Sequence, residues 1–218
     1  MLIARAPVRI SLAGGGTDLP AYYDRHPDGG FVVSTSINKY IYVFVSPSTG
    51  RGVPISSSDY RAFSRHSAGE APLWDGDLGL VKATLHEFDV VEGVSLFLAS
   101  EVPPGTGLGS SSTVAVALIK ALATLQNVRL TPTEVAECAC RIELDKLGSP
   151  IGKQDQYAAA VGGLNAITFT SERVGVERLQ VSPDVLATLE SNLLLFFTGS
   201  TRSAGEILRQ QRQATADD

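Results

Sequence analysis

From Pro7 to Ala13 apolar and polar positions alternate, the period-two mark of a half-buried strand, and the run stops at Gly14-Gly15-Gly16. Phe31 to Ile37 and Lys39 to Val45 are rich in β-branched and aromatic residues, which predicts an antiparallel pair turning around Asn38. Arg51 to Gly69 is polar, serine-rich and poorly periodic, so it reads as an edge hairpin or a mobile loop. The period then changes. Leu78, Val81, Leu85 and Phe88 share one helical face, Val94 to Val102 returns to a strand-like run, and a helix follows Ser110-Ser111-Ser112 to about Gln126. Val114, Leu118, Leu122 and Leu125 form its predicted inward stripe. Thr131-Pro132-Thr133-Glu134 is a capping box with proline at the first helical position, and the helix it opens should run to Gly148, before Pro150. A short helix from Lys153 to Ala160 stops at Gly162-Gly163. Strands are predicted from Asn165 to Thr170, Val174 to Leu179 and Asn192 to Phe197, and a last helix from Ser203 to about Gln213.

Composition narrows the class. A chain of 218 residues with 44% hydrophobic and 19% charged residues can bury a sizeable core, as one large domain or one and a half smaller ones. A net charge of −5 without a basic, aromatic-interleaved stripe excludes nucleic acid as the main partner. A phosphate ligand stays open, because local N–H groups and Mg2+ outweigh a mildly acidic global field. Cys138 and Cys140 lie two apart on a predicted helix, their side chains diverging by about 200°, so they read as buried thiols rather than a disulfide. His26, His66 and His86 lack metal-ligand spacing. The N-terminus has no signal-peptide profile and no apolar run approaches membrane-spanning length, so the expected address is cytoplasmic.

Three segments carry candidate chemistry. Val102 to Ser112 passes from a strand through Gly105, Gly107 and Gly109 into a helix opened by three hydroxyls; free N–H groups and the positive helix end there attract anions. A plain strand-to-helix turn is the competing reading. The third glycine comes one residue early for a dinucleotide fingerprint, and Gly148 to Lys153 has three residues between its glycines rather than the four of a P-loop. In the second segment Glu143 and Asp155 flank a tight turn, able to face one cavity: a carboxylate could share Mg2+ with a serine hydroxyl, and a second could accept a proton. A solvated Glu143 and a purely N-terminal Asp155 are the alternatives. In the third segment a strand leads into Gly14, Gly15 and Gly16, then Thr17 and Asp18. Exposed backbone and a buried acid there suit sugar hydroxyls, and an N-capping Asp18 is the alternative.

Taken together, the three resemble the GHMP kinase superfamily (galactokinase, homoserine kinase, mevalonate kinase and phosphomevalonate kinase). Pro103-Pro104-Gly105-Thr106-Gly107-Leu108-Gly109-Ser110-Ser111-Ser112 is similar to the family's second motif almost letter for letter. Gly148 to Asp155 resembles its catalytic-aspartate turn, with one residue inserted before the acid. Arg9 to Asp18 resembles the sugar-kinase first motif, with glycines where galactokinases carry a Glu-His pair. These variants look most like the D-glycero-D-manno-heptose 7-phosphate kinases, with fucokinase-type domains as relatives.

The resemblance implies an α+β fold: a ribosomal-protein-like βαβ domain, its mixed sheet backed by helices, over residues 1–180, and the beginning of a C-terminal α+β domain over 181–218. It implies ATP and Mg2+ as cofactors, with Pro104, Gly105, Thr106, Gly107, Leu108, Gly109, Ser110, Ser111 and Ser112 around the phosphates. Ser111 and Glu143 would hold the metal, and Asp155 would be the base. Arg9 and Lys153 would neutralise phosphate charge, while Gly14, Gly15, Gly16, Thr17 and Asp18 hold the sugar. The implied reaction is phosphorylation of the anomeric hydroxyl of a heptose 7-phosphate. A kinase for another sugar such as fucose, or a non-catalytic ATP- or sugar-phosphate-binding module, are the alternatives. Family members run longer and carry a third glycine-rich motif that nothing after Gly199 supplies, so the chain is expected to open a second domain without completing it. Its apolar Leu193 to Phe197 would then favour homo-oligomers.

Overall fold

The computed structural model describes residues 1–58, 62–66, 76 and 78–199. Its sheet is organised by one long strand, β2 (Gly30–Pro47), along which β1 (Leu2–Ala13) runs antiparallel. The second half of β2 also pairs with β5 (Val94–Ser100), and its first half with β6 (Leu164–Phe169). The hairpin β3 (Val53–Ser57) and β4 (Ala62–His66) forms one end of the strand order, realising the edge-hairpin reading of that segment, and β7 (Val174–Arg178) forms the other. β3 joins β5 in parallel while the other pairings are antiparallel, so the sheet is mixed.

The turn expected around Asn38 is absent, because β2 passes straight through it. The pairing instead slips from Pro7 opposite Tyr40 to Arg9 opposite Ser36, an irregularity that absorbs the extra β2 residues. The buried positions change parity across it, from Val32 and Ser34 to Ile41, Val43 and Val45. A break in alternation therefore marked a bulge rather than a chain reversal.

Ala6, Val43, Val45, Leu96 and Leu98 face the helices and share one core with them. The opposite face carries a ladder of Tyr40, Tyr42, Phe44 and Phe97, with neighbouring ring centroids 5.6 to 6.4 Å apart. The helical layer contains α2 (Gly79–Glu87), α3 (Ser110–Leu125), α4 (Pro132–Cys140) and α5 (Gln154–Val161), while the short α1 (Pro20–Tyr23) follows the glycine loop. α3 is central and buried on nearly every side, so the predicted single stripe is too narrow. Leu118 and Leu122 are fully enclosed, whereas Leu125 in the last turn is 40% exposed, a correction to its inward placement.

The capping box at Thr131 forms as predicted: its Oγ1 accepts from Glu134 N–H, and the Glu134 carboxylate accepts from Thr131 N–H at 2.7 Å. The helix does not stay α to Gly148. From Arg141 to Lys146 it widens into a π-helix, with Leu147 N–H donating to Ile142 C=O at 3.0 Å. Cys138 and Cys140 are buried free thiols.

No regular strand forms from Asn192 to Phe197, which has no pairing edge among the described residues. The segment before it is instead α6 (Pro183–Ser191), opened by Ser182, whose Oγ accepts from Val185 N–H, and by Pro183 at the first helical position. Leu194 and Phe196 are 79% and 77% exposed. The helix expected from Ser203 lies outside the described residues. Among those residues no helix is long and apolar enough to cross a membrane.

Candidate active site

The glycine-rich turn leaves β5 and enters α3. Gly109 is the N-cap of α3 at φ +73° and offers no side chain to the first-turn N–H groups, so these stay available to an anion. Only glycine suits that position, because a Cβ there would stand 3.0 Å from the Asp155 carboxyl carbon in a left-handed backbone. The turn is tied to β1. Arg9 N–H donates to Leu108 C=O at 3.2 Å, and the Arg9 guanidinium donates from Nη1 to Gly107 C=O at 2.7 Å.

The same guanidinium reaches Asp155. Its Nε donates to Oδ1 at 2.7 Å, and Nη2 closes the ion pair on that oxygen. Asp155 stands in the first turn of α5, as its position after the tight turn predicts. Arg9 thereby links the first strand, the glycine turn and the acid.

Glu143 is not a solvated residue: it is 2% exposed and lies inside the π-helix. Ser111 Oγ donates to its Oε1 at 3.2 Å, and Gln156 Nε2 donates to its Oε2 at 2.7 Å. Burial pushes the Glu143 carboxyl up to about 7, against hydrogen bonds from Ser112, Gln156 and Ser111, which favour the charged form. Among the described residues no cation pairs with it.

A pH dependence follows. Below about pH 4.5 the group is neutral in both folded and unfolded chains; between pH 4.5 and 7 only the unfolded chain loses its proton. Stability contributed by neutral Glu143 is therefore lost as pH rises through that window. The wild type should lose more stability between pH 5 and pH 8 than Glu143→Gln, by an amount on the order of 3 kcal/mol in urea denaturation. Equal losses in the two proteins would contradict the buried-acid assignment.

The third segment closes on itself. Thr17 Oγ1 accepts from Phe31 N–H at 2.9 Å and lies 2.9 Å from Gly14 C=O and 3.0 Å from Phe31 C=O, to either of which its hydroxyl can donate. Asp18 does not cap α1, whose N-cap is Leu19. Its buried carboxylate accepts from Gly16 N–H at 3.2 Å, Gln154 N–H at 3.1 Å and Gln154 Nε2 at 3.3 Å. Burial raises its pKa against these bonds. Gly152 makes room for it, since a Cβ there would crowd both carboxylate oxygens. Lys153 N–H donates to Asp18 C=O at 3.4 Å, while the Lys153 ammonium sits 5.4 Å above the Tyr23 ring and does not join the Arg9–Asp155 pair.

The structure thus brings Arg9, the Gly105 to Ser112 turn, Glu143 and Asp155 to one end of α3, and links Gly14 to Asp18 to the same acidic turn. Sequence reasoning passed over Gln154 and Gln156, the two amides flanking Asp155. Their alternation around an acid, next to three alanines, was the available signal. Among the described residues no group of three or more His, Cys, Asp or Glu is arranged as a metal cluster. A hard ion such as Mg2+ needs only one or two protein oxygens, because it keeps several waters.

The fold is α+β, with a glycine turn that opens α3 beside two acids, and comparison with known proteins gives its family. Residues 78–163 match the GHMP kinases N terminal domain. A D-glycero-alpha-D-manno-heptose 7-phosphate kinase of Campylobacter jejuni is 34% identical over 98% of this chain and 64% of its own length. The crystal structure of a D-glycero-D-manno-heptose 1-phosphate kinase from Bacteroides thetaiotaomicron superposes with a TM-score of 0.83 at 30% identity, over 100% of this chain and 71% of that one. A bifunctional fucokinase/GDP-fucose pyrophosphorylase of Arabidopsis thaliana is 30% identical over 94% of this chain and 21% of its own length. The chain belongs to the GHMP kinase family. It spans less than two thirds of the length of these two curated relatives.

Proposed function

We propose that this chain carries the catalytic half-site of an ATP-dependent sugar kinase that phosphorylates the anomeric hydroxyl of D-glycero-D-manno-heptose 7-phosphate. The observation that carries the reading is the convergence of two acid pairs, Arg9–Asp155 and Ser111–Glu143, on the open N-terminus of α3. Asp155 accepts the proton of the acceptor hydroxyl as that oxygen attacks the γ-phosphorus, whose bond to the β-phosphate oxygen breaks with ADP leaving. Arg9 fixes the rotamer of this carboxylate and adds positive charge where negative charge develops. The turn from Pro104 to Ser112 cradles the phosphates with backbone N–H groups.

Mg2+ fits the donor set, because Glu143 is a buried carboxylate with no cationic partner among the described residues, beside the Ser111 hydroxyl. When bound it would neutralise phosphate charge. Ser111 and Glu143 would hold it, and Gln156 keeps the Glu143 carboxylate aimed. Gly14 to Thr17 present backbone to the sugar, Asp18 joins that loop to the acidic turn, and Lys153 adds charge beside it. Residues 181–218 begin the second domain of the kinase.

The relatives' names differ on the phosphate position of the sugar, and one is a fucokinase. The test incubates the purified chain with ATP–Mg2+ and, separately, heptose 7-phosphate, heptose 1-phosphate, L-fucose and galactose, following ADP release and the new phosphate ester by 31P NMR. Preferred turnover of heptose 7-phosphate, with the ester at the anomeric carbon, is the expected result. Preference for fucose would establish the fucokinase reading instead. ATP–Mg2+ binding without transfer to any of the four would leave a non-catalytic binding module.

A further inference from the structure

Glu87 ends α2, away from the glycine turn, and takes three cationic hydrogen bonds. Arg141 donates to its Oε1 from Nε at 3.1 Å and from Nη2 at 2.8 Å, and Lys146 Nζ donates to its Oε2 at 2.6 Å. Arg141 and Lys146 are the first and last residues of the π-helix. In a π winding, residues five apart stand nearly above one another. In an α-helix they diverge by about 140°, and one carboxylate would not span both. Glu143 lies between them on the other side of the segment: it is 2% exposed, whereas the Arg141 side chain is 55% exposed. The Glu87 carboxyl stays below its ordinary pKa, since the Lys146 and Arg141 bonds outweigh its burial, and it remains charged at neutral pH.

We infer that Glu87 is a positioning residue: by tying both ends of Arg141–Lys146 to α2 it holds that segment in the π winding, and the winding sets the direction in which Glu143 presents its carboxylate to Ser111. The consequence for the metal rests on the reading of Glu143 as its ligand. The winding itself does not.

Two measurements on Glu87→Gln separate these parts. Hydrogen exchange at Leu147 N–H, whose bond to Ile142 C=O defines the winding, should speed up by about tenfold, with α3 unchanged. The Mg2+ concentration half-saturating the binding of a fluorescent ATP analogue should rise about threefold to tenfold. Arg141→Gln, which keeps the Lys146 arm, should shift both readouts the same way by less. Unchanged Leu147 exchange overturns the inference. So does unchanged Mg2+ dependence in Glu87→Gln where Glu143→Gln shifts it strongly. If Glu143→Gln itself leaves the Mg2+ titration unchanged, the metal reading of Glu143 fails, and the exchange result alone decides whether Glu87 holds the winding.

Discussion

Asp155→Asn is expected to lower kcat by about 10²- to 10⁴-fold while ATP–Mg2+ binding stays within a few-fold of wild type. The amide keeps the size of the acid but cannot take the acceptor's proton. It also loses the charge that holds the Arg9 guanidinium, whose Nε lies 2.7 Å away. On the proposed reading the nucleotide is held by the turn and the α3 N-terminus, not through this carboxylate, so binding should survive. Single-turnover kinetics with heptose 7-phosphate, beside calorimetric titration of the nucleotide, measure the two quantities separately. A variant with wild-type turnover would remove Asp155 from the mechanism. Equal loss of binding and turnover would make it a structural anchor of the turn.

Gly14→Ala should be the most disruptive change in the Gly14 to Asp18 loop, and Gly15→Ala one of the mildest. Gly14 has φ +80°, and a Cβ there would overlap the Phe31 carbonyl oxygen and stand 2.9 Å from its carbon and 3.1 Å from Val32 Cα. These are main-chain atoms of β2, the strand on which β1, β5 and β6 pair, so they cannot give way cheaply. The left-handed conformation costs about 1–2 kcal/mol for a non-glycine residue and the overpacking about 1–3 kcal/mol, so a loss of roughly 2–5 kcal/mol is expected. Gly15 carries no such constraint: its added Cβ meets Ser11 Oγ at 3.7 Å, an ordinary contact. Its alanine variant should stay within about 0.5 kcal/mol of wild type in urea denaturation. Similar midpoints for the two variants would mean that the loop does not sit on β2 as described.

Much of the candidate site's local geometry was legible because consecutive residues build it. Gly109 and the three serines are consecutive with the helix they open, and the Thr131 capping box announces its own helix start. The readings that failed depended on neighbours. The turn at Asn38 looked plausible until β1 supplied a partner along both halves of β2, which turned a break in alternation into a bulge. Asn192 to Phe197 has strand composition without an edge to pair with among the described residues. Leu125 keeps the helical spacing, yet lies where α3 runs out of its packed layers.

The same division runs through the candidate chemistry. Residue types and spacing by themselves determined a glycine turn opening a helix with three hydroxyls, an acid on each side of the Gly148 to Lys153 turn, and a glycine loop ending in Asp18, because a few consecutive residues specify each of these motifs. Only the tertiary structure decided that Arg9 pairs with Asp155, 146 positions away, and that Glu143 is buried against Ser111. It also decided that Asp18 spends its carboxylate on the acidic turn. Burial and long-range pairing depend on how sheet and helices stack, and local pattern does not encode that stacking. The π winding under Glu143 belongs to the same class: the one-residue change in helical register depends on a carboxylate from α2 that the local sequence does not contain.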